Sequence, residues 1–221
     1  LLFLVPIYIF LTDSARLQAA NQDDWGAPKV QVLQGQGKWT IEGRRNRIEL
    51  NPSDLQMTVF ARSRTWSMIP SFPGDLIVES SGARLSLRLA DAGKKEISPY
   101  QTGFKTGIKI DLAGFTHKDE KVDLQILLFI CLEGEQEELV CELIATEKNA
   151  TILECFWPQG VSNNCFDYTV VPFMQGMLLG KDWPKKVRLY DAVSYGRGLY
   201  MPWWGHQQGE SAMLVLLETP V

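Results

Sequence analysis

Apolar residues along this chain gather in short runs broken by glycine, proline, serine and charged residues. No window of twelve or more residues carries an apolar stripe at helical spacing. The runs are rich in Val, Ile, Leu, Thr and aromatics, which predicts strands over Val30–Leu33, Trp39–Glu42, Arg47–Leu50, Gln56–Phe60, Thr65–Ile69, Leu76–Ser80 and Arg84–Ala90. The series continues with Gly107–Leu112, Val122–Leu132, Glu138–Thr146, Thr151–Phe156, Tyr168–Pro172, Val187–Tyr190, Leu199–Pro202 and Ala212–Glu218. So many short strands in one chain predict an all-β protein, a large antiparallel multi-sheet β-sandwich. Two connections read differently. Met174, Met177 and Leu178 fit a short helical turn packed on a sheet, and Ser98 to Gly107 fits a tight link between strands.

One hairpin can be specified in detail. The polar stretch Gly134 to Glu138 separates two apolar strands, and a three-residue loop centred on Gln136 would pair Gly134 with Glu138. That register sets Cys131 opposite Cys141 and Phe129 opposite Leu143. Both faces of the pair are then largely apolar, so the hairpin is expected to be central in a layered assembly.

Length and composition narrow the classes. A chain of 221 residues, 45% hydrophobic and 22% charged, can bury a sizeable core and is no disordered tail or disulfide-dense miniprotein. The net charge is −4, and the only dense basic clusters are Arg44, Arg45 and Arg47, then Lys185, Lys186 and Arg188, which argues against a nucleic-acid partner. Leu1 to Leu11 is an apolar run too short to span a bilayer, so no stable membrane span is expected. It fits the hydrophobic region of a signal peptide, with small residues at Ala15, Ala19 and Ala20. Residues 1–20 are therefore expected to be a clipped signal peptide, which predicts a secreted, periplasmic or cell-surface protein. A buried amino-terminal strand is the alternative. Residues 21–221 would form the β domain. The apolar strand Met213–Glu218 close to the end suggests that a further domain follows in the parent protein.

Candidate chemistry is sparse. Two histidines exclude a multi-histidine metal site, and no cofactor fingerprint, P-loop or G-x-S-x-G elbow occurs, so neither a metal nor a cofactor is expected. The four cysteines, Cys131, Cys141, Cys155 and Cys165, contain no C-x-x-C pair. In an exported protein they could form disulfides, and the hairpin register favours Cys131–Cys141 with Cys155–Cys165. Four buried free thiols are the equal alternative. The most distinctive segment is Ser194 to Glu210, SYGRGLYMPWWGHQQGE. Aromatic faces stack on the C–H faces of sugar rings while polar neighbours meet the hydroxyls, so Tyr200, Trp203, Trp204 and His206 are candidates for a carbohydrate site. Strand alternation would turn Trp203 and Trp204 to opposite sides, and packing a sandwich corner is the competing role. Gln175 and Asp182 are polar candidates for a site rim.

Four segments carry a resemblance. Asp91 to Gly107 (DAGKKEISPYQTGFKTG), Val171 to Leu179 (VPFMQGMLL), Arg197 to His206 (RGLYMPWWGH) and Leu216 to Pro220 (LLETP) resemble the amino-terminal region of large secreted bacterial glycoside hydrolases. Over residues 30–221 the chain resembles the endo-α-N-acetylgalactosaminidase and α-N-acetylgalactosaminidase group. The resemblance implies a β-supersandwich similar to the galactose-mutarotase fold, preceding a (β/α)₈ catalytic barrel. It implies a glycan substrate, a downstream catalytic domain as partner, and catalytic carboxylates on the barrel, so no catalytic residue is assigned in this chain. Two alternatives remain: a stand-alone carbohydrate-binding or adhesion sandwich, and a small aldose epimerase using His206 with Glu210 or Glu218.

Overall fold

The computed structural model describes residues 28–173, 175–184 and 203–218. The expected signal segment, the strands over 187–190 and 199–202, and Tyr200 lie outside the described residues. Within them the protein is all-β, with several antiparallel sheets.

The first sheet is a meander of β1 (Gln31–Gly35), β2 (Lys38–Glu42), β3 (Asn46–Asn51), β4 (Gln56–Ala61) and β5 (Arg64–Ser67). Period-two alternation sends Trp39, Ile41, Ile48, Leu50, Met57, Val59 and Trp66 inward. The register stacks them in rows, Trp39 beside Leu50 beside Met57, and Ile41 beside Ile48 beside Val59 beside Trp66. The β1–β2 turn holds Gln36 and Gly37 at φ +50° and +74°, the conformation a two-residue hairpin needs.

A three-stranded sheet runs in the order β14 (Ala150–Cys155), β6 (Leu76–Ser80), β7 (Ala83–Leu87). A four-stranded sheet runs β13 (Glu138–Glu147), β12 (Leu124–Glu133), β9 (Lys105–Ala113), β8 (Lys94–Gln101). Its core face joins Ile108, Ile110 and Leu112 to Ile126, Leu128 and Ile130. Strand β12 also buries Phe129 and Cys131 on its other face, as the sequence predicts for a central strand. Strand β13 does not share that burial, for Ile144 is exposed. A short hairpin, β10 (Phe115–His117) and β11 (Glu120–Val122), tucks Phe115 and Val122 into the same core.

The hairpin register departs from expectation by one residue. Glu133 pairs with Glu138 and Ile130 with Cys141, so Cys131 faces Val140. A one-residue slip exchanges the faces of a strand. Cys131 and Cys141 thus lie on opposite faces, and all four cysteines are free thiols rather than two disulfides. Burial pushes the Cys131 thiol up to about 11 and those of Cys141 and Cys155 to about 12.

The slip comes from Glu137. Its side chain is fully buried, and its carboxylate accepts the backbone N–H groups of Arg44 (2.8 Å), Arg45 (2.7 Å) and Asn46 (2.9 Å) in the β2–β3 turn. The Asn46 side-chain amide donates back to the Glu137 carbonyl at 2.8 Å. Holding Glu137 in the loop makes the turn four residues long, with Gly134 and Glu137 both at positive φ. The arginine cluster is part of this staple, and Arg47 lies over the Phe60 ring, 4.2 Å from its centroid.

Candidate functional site

The last sheet carries the aromatic segment. Its order is β16 (Met177–Gly180), β15 (Tyr168–Val171), β17 (Trp203–Gln208), β18 (Ser211–Leu216). The expected helical turn at Met177 and Leu178 is an extended strand instead, paired along β15 from Tyr168–Gly180 to Val171–Met177. Backbone pairing to β15 outweighs the i, i+3, i+4 spacing of three apolar residues.

Strand alternation divides the candidate residues. Trp204, His206 and Gln208 share one face with Thr169, Met213 and Val215. Trp203, Gly205 and Gln207 share the other. The two tryptophans therefore do point to opposite sides. His206 is buried, with Nδ1 3.0 Å from the Thr169 hydroxyl and its ring 4.7 Å from Phe166. Burial lowers its pKa, which favours the neutral imidazole. Such a histidine is built into packing; Glu210 stands in the exposed β17–β18 turn. Gln175 is exposed in the β15–β16 turn, beside Gly176 at φ +95°. The β17–β18 turn is anchored by Asp167, whose carboxylate accepts the Gly209 N–H at 3.0 Å and faces Lys181 at 3.6 Å. That backbone bond, with Lys181 assisting, holds the Asp167 carboxyl below its usual range. Structure thus brings Trp204 and His206 together on the packed side and leaves Trp203 on the open side.

Sequence patterning did not single out a buried acid network around Asp75. This carboxylate accepts the Ser71 hydroxyl (2.6 Å), the Leu89 N–H (2.8 Å), the Phe72 N–H (3.2 Å) and the Gln159 amide (3.3 Å). The Asp75 carbonyl accepts the Phe156 N–H at 2.8 Å, so one residue ties together three loops. A leading signal would have been an acid between apolar Phe72 and Leu76, too short a pattern to read. Burial raises the Asp75 pKa against the opposing pull of Ser71, Leu89, Phe72 and Arg88. A carboxyl whose folded pKa exceeds its unfolded value favours folding at low pH, and that contribution is lost as pH rises from 3.8 through the folded value. Asp75→Asn removes this slope and sets an amide N–H against a backbone or hydroxyl donor. The variant should lose about 1–3 kcal/mol. Its deficit in urea unfolding should be largest at low pH and shrink across that window; a pH-independent difference would contradict the assignment.

A second feature is an open cleft of about 230 Å³ between the β10–β11 hairpin and the end of β7, lined by Ser86, Arg88, Asp91, Thr116, His117 and Lys118 among others. His117, expected in a solvated turn, lines this cleft of mixed polar and apolar character. Among the described residues no group of three or more His, Cys, Asp or Glu side chains is placed to hold a metal ion. No helix among them is long and apolar enough to cross a membrane.

No protein-family model matches the chain, and no curated protein matches it in sequence. Solved structures do match it in fold. The α-N-acetylgalactosaminidase NagBb from Bifidobacterium bifidum superposes with a TM-score of 0.61 at 22% identity in its ligand-free form. Its GalNAc complex gives the same values, and its Gal-NHAc-DNJ complex gives 0.61 at 21% identity. Each alignment covers 86% of this chain and 29% of the neighbour's. The chain thus spans less than a third of the length of these enzymes, and the likeness is one of fold.

Proposed function

We propose that this chain is the non-catalytic amino-terminal β-supersandwich, galactose-mutarotase-like, of an exported glycoside hydrolase. It supports a downstream catalytic barrel and contributes to one rim of the glycan cleft. The observation that carries this reading is the shared fold over 86% of this chain with a 29% portion of an α-N-acetylgalactosaminidase. The chemistry of the described residues supports it. The two fully buried carboxylates, Asp75 and Glu137, are saturated by the chain's own donors, so neither is free to act on a substrate. The neutral, packed His206 counts against epimerase chemistry. In this reading Trp203 stands on the open face of the last sheet, while Trp204 and His206 pack the support. Export follows from the apolar segment Leu1–Leu11.

The test is to read the parent gene beyond Val221 and assay both products on an aryl α-N-acetylgalactosaminide. The expected result is a continuation with alternating β/α patterning whose full product hydrolyses the glycoside, while the 221-residue chain does not. A stop directly after Val221, or hydrolysis by the chain alone, would overturn the reading.

A further inference from the structure

The geometry points to the outer face of the last sheet, around Gly205, as the surface that packs against an adjoining domain of the same polypeptide. This inference rests on the support role proposed above and specifies its docking face. Register aligns two rows across the sheet: Leu178, Val170, Gly205 and Leu214, then Trp203 beside Leu216. A third row holds Gly180, Tyr168, Gln207 and Ala212. Not one charged residue stands among these positions. Leu178 is 58% exposed, Leu214 61%, Leu216 58% and Tyr168 45%.

A monomeric surface rarely carries so continuous an apolar patch. An antiparallel sheet with one wet face should alternate apolar with polar, and this one does not. Its opposite face is already occupied: Met213 and Phe166 pack against the core, and His206 lies on Phe166. The sheet is thus packed on one side and apolar on the other, the pattern of a layer between two others. At its centre Gly205 is buried beneath its neighbours, and a Cβ there would meet the Met213 carbonyl at 3.4 Å and a Leu214 methyl at 4.0 Å, so the leucines flanking it form the raised, exposed part of the face.

The occupant follows from the fold neighbours. This fold makes up only 29% of each of those chains, so in them it exists alongside a much larger folded mass. An apolar sheet face with Leu178, Leu214 and Leu216 standing exposed accepts the apolar side chains of a packed domain. Its hydrogen-bonding side chains, Tyr168, Trp203 and Gln207, are spread among these leucines, an arrangement that suits domain packing better than a polyhydroxylated ligand.

Hydroxyl-radical footprinting of the full parent polypeptide and of the 221-residue chain, each wild type and with Leu178→Lys/Leu214→Lys, tests this. Labelling of Tyr168, Leu178 and Leu214 is expected to be roughly tenfold lower in the full polypeptide than in the monomeric 221-residue chain. The double variant should restore Tyr168 labelling in the full polypeptide and leave the melting temperature of the short chain unchanged. Equal labelling in an active full-length hydrolase would overturn the inference and leave the proposed function standing. A parent gene that ends at Val221 would instead remove the proposed function itself. Unfolding of the short chain by the double variant would show that this chain covers its own face, and overturn the inference. So would a dimer of the short chain that the variant dissociates, with the face protected in the dimer.

Discussion

Gly107→Ala is expected to lower the melting temperature of the 221-residue chain by roughly 10 °C and to cut its soluble yield. Gly107 sits in the middle of the four-stranded sheet, paired with Tyr100 on β8 and Cys131 on β12. A Cβ built there would lie 2.0 Å from the Ile130 carbonyl oxygen and 2.6 Å from the Cys131 Cα. These are backbone atoms of the most buried strand, so relief requires β12 to shift and the rows on either side to move with it. Overpacking of an ordinary core site costs about 1–3 kcal/mol, and a clash with backbone belongs at or above the top of that range. The glycine also leaves room for Tyr100 and Phe129, whose rings meet edge-on at 4.8 Å across the same face. Circular dichroism melts of the two proteins decide the matter; a variant that melts within a degree of wild type would contradict the close approach.

Glu137→Ala should be comparably damaging, by about 3–5 kcal/mol, because it leaves three backbone donors of the β2–β3 turn without their acceptor. Glu137→Gln should fall between. It keeps one acceptor oxygen for Arg45 and Asn46 but turns its amide N–H toward that of Arg44. Burial works against the charge, yet the three backbone N–H groups together with Arg44 hold the Glu137 carboxyl below its usual value of 4.5. A depressed folded pKa gives stability that is fully present above 4.5 and is lost as pH falls through the folded value. Acid unfolding of the wild type should therefore be steeper below that point than acid unfolding of Glu137→Gln. Gly43 gives an internal control. A Cβ there would stand 2.3 Å from the Glu137 carboxylate and 3.1 Å from the Asn46 carbonyl, so Gly43→Ala should be costly in the wild type and markedly less costly beside Glu137→Ala, where only the milder Asn46 contact remains. Additive losses in that double-mutant cycle would show that the staple is not what holds the turn.

The all-β class and most strand positions could be read from the sequence because alternation of residues such as Trp39, Ile41, Ile48 and Leu50 is a local signal. What could not be read was set at a distance. The β12–β13 register depends on Glu137 binding a turn more than ninety positions earlier in the chain. Strand β8 escaped notice because Lys94, Lys95, Glu96 and Pro99 make it polar, as befits a strand at the edge of its described sheet. At the candidate site, alternation correctly separated Trp203 from Trp204. The burial of His206 depends on Thr169 and Phe166, contributed by a different strand and the loop before it, so spacing along β17 alone could not reveal it. The cleft beside His117 likewise joins residues from three separate segments.

The order β14–β6–β7 has a consequence for synthesis on the ribosome. The hairpin of β6 and β7 is complete as soon as Leu87 emerges, but its partner begins only at Ala150. At about 5–20 residues per second, the free edge of β6 waits several seconds for β14 to arrive. During that interval Leu76 and Val78, which are wholly buried in the finished protein, lie beside an unpaired row of backbone donors and acceptors. The nascent chain is open to misassembly in this window, so slowing translation between β7 and β14 should raise the aggregated fraction more than an equal delay within the locally paired β1–β5 meander.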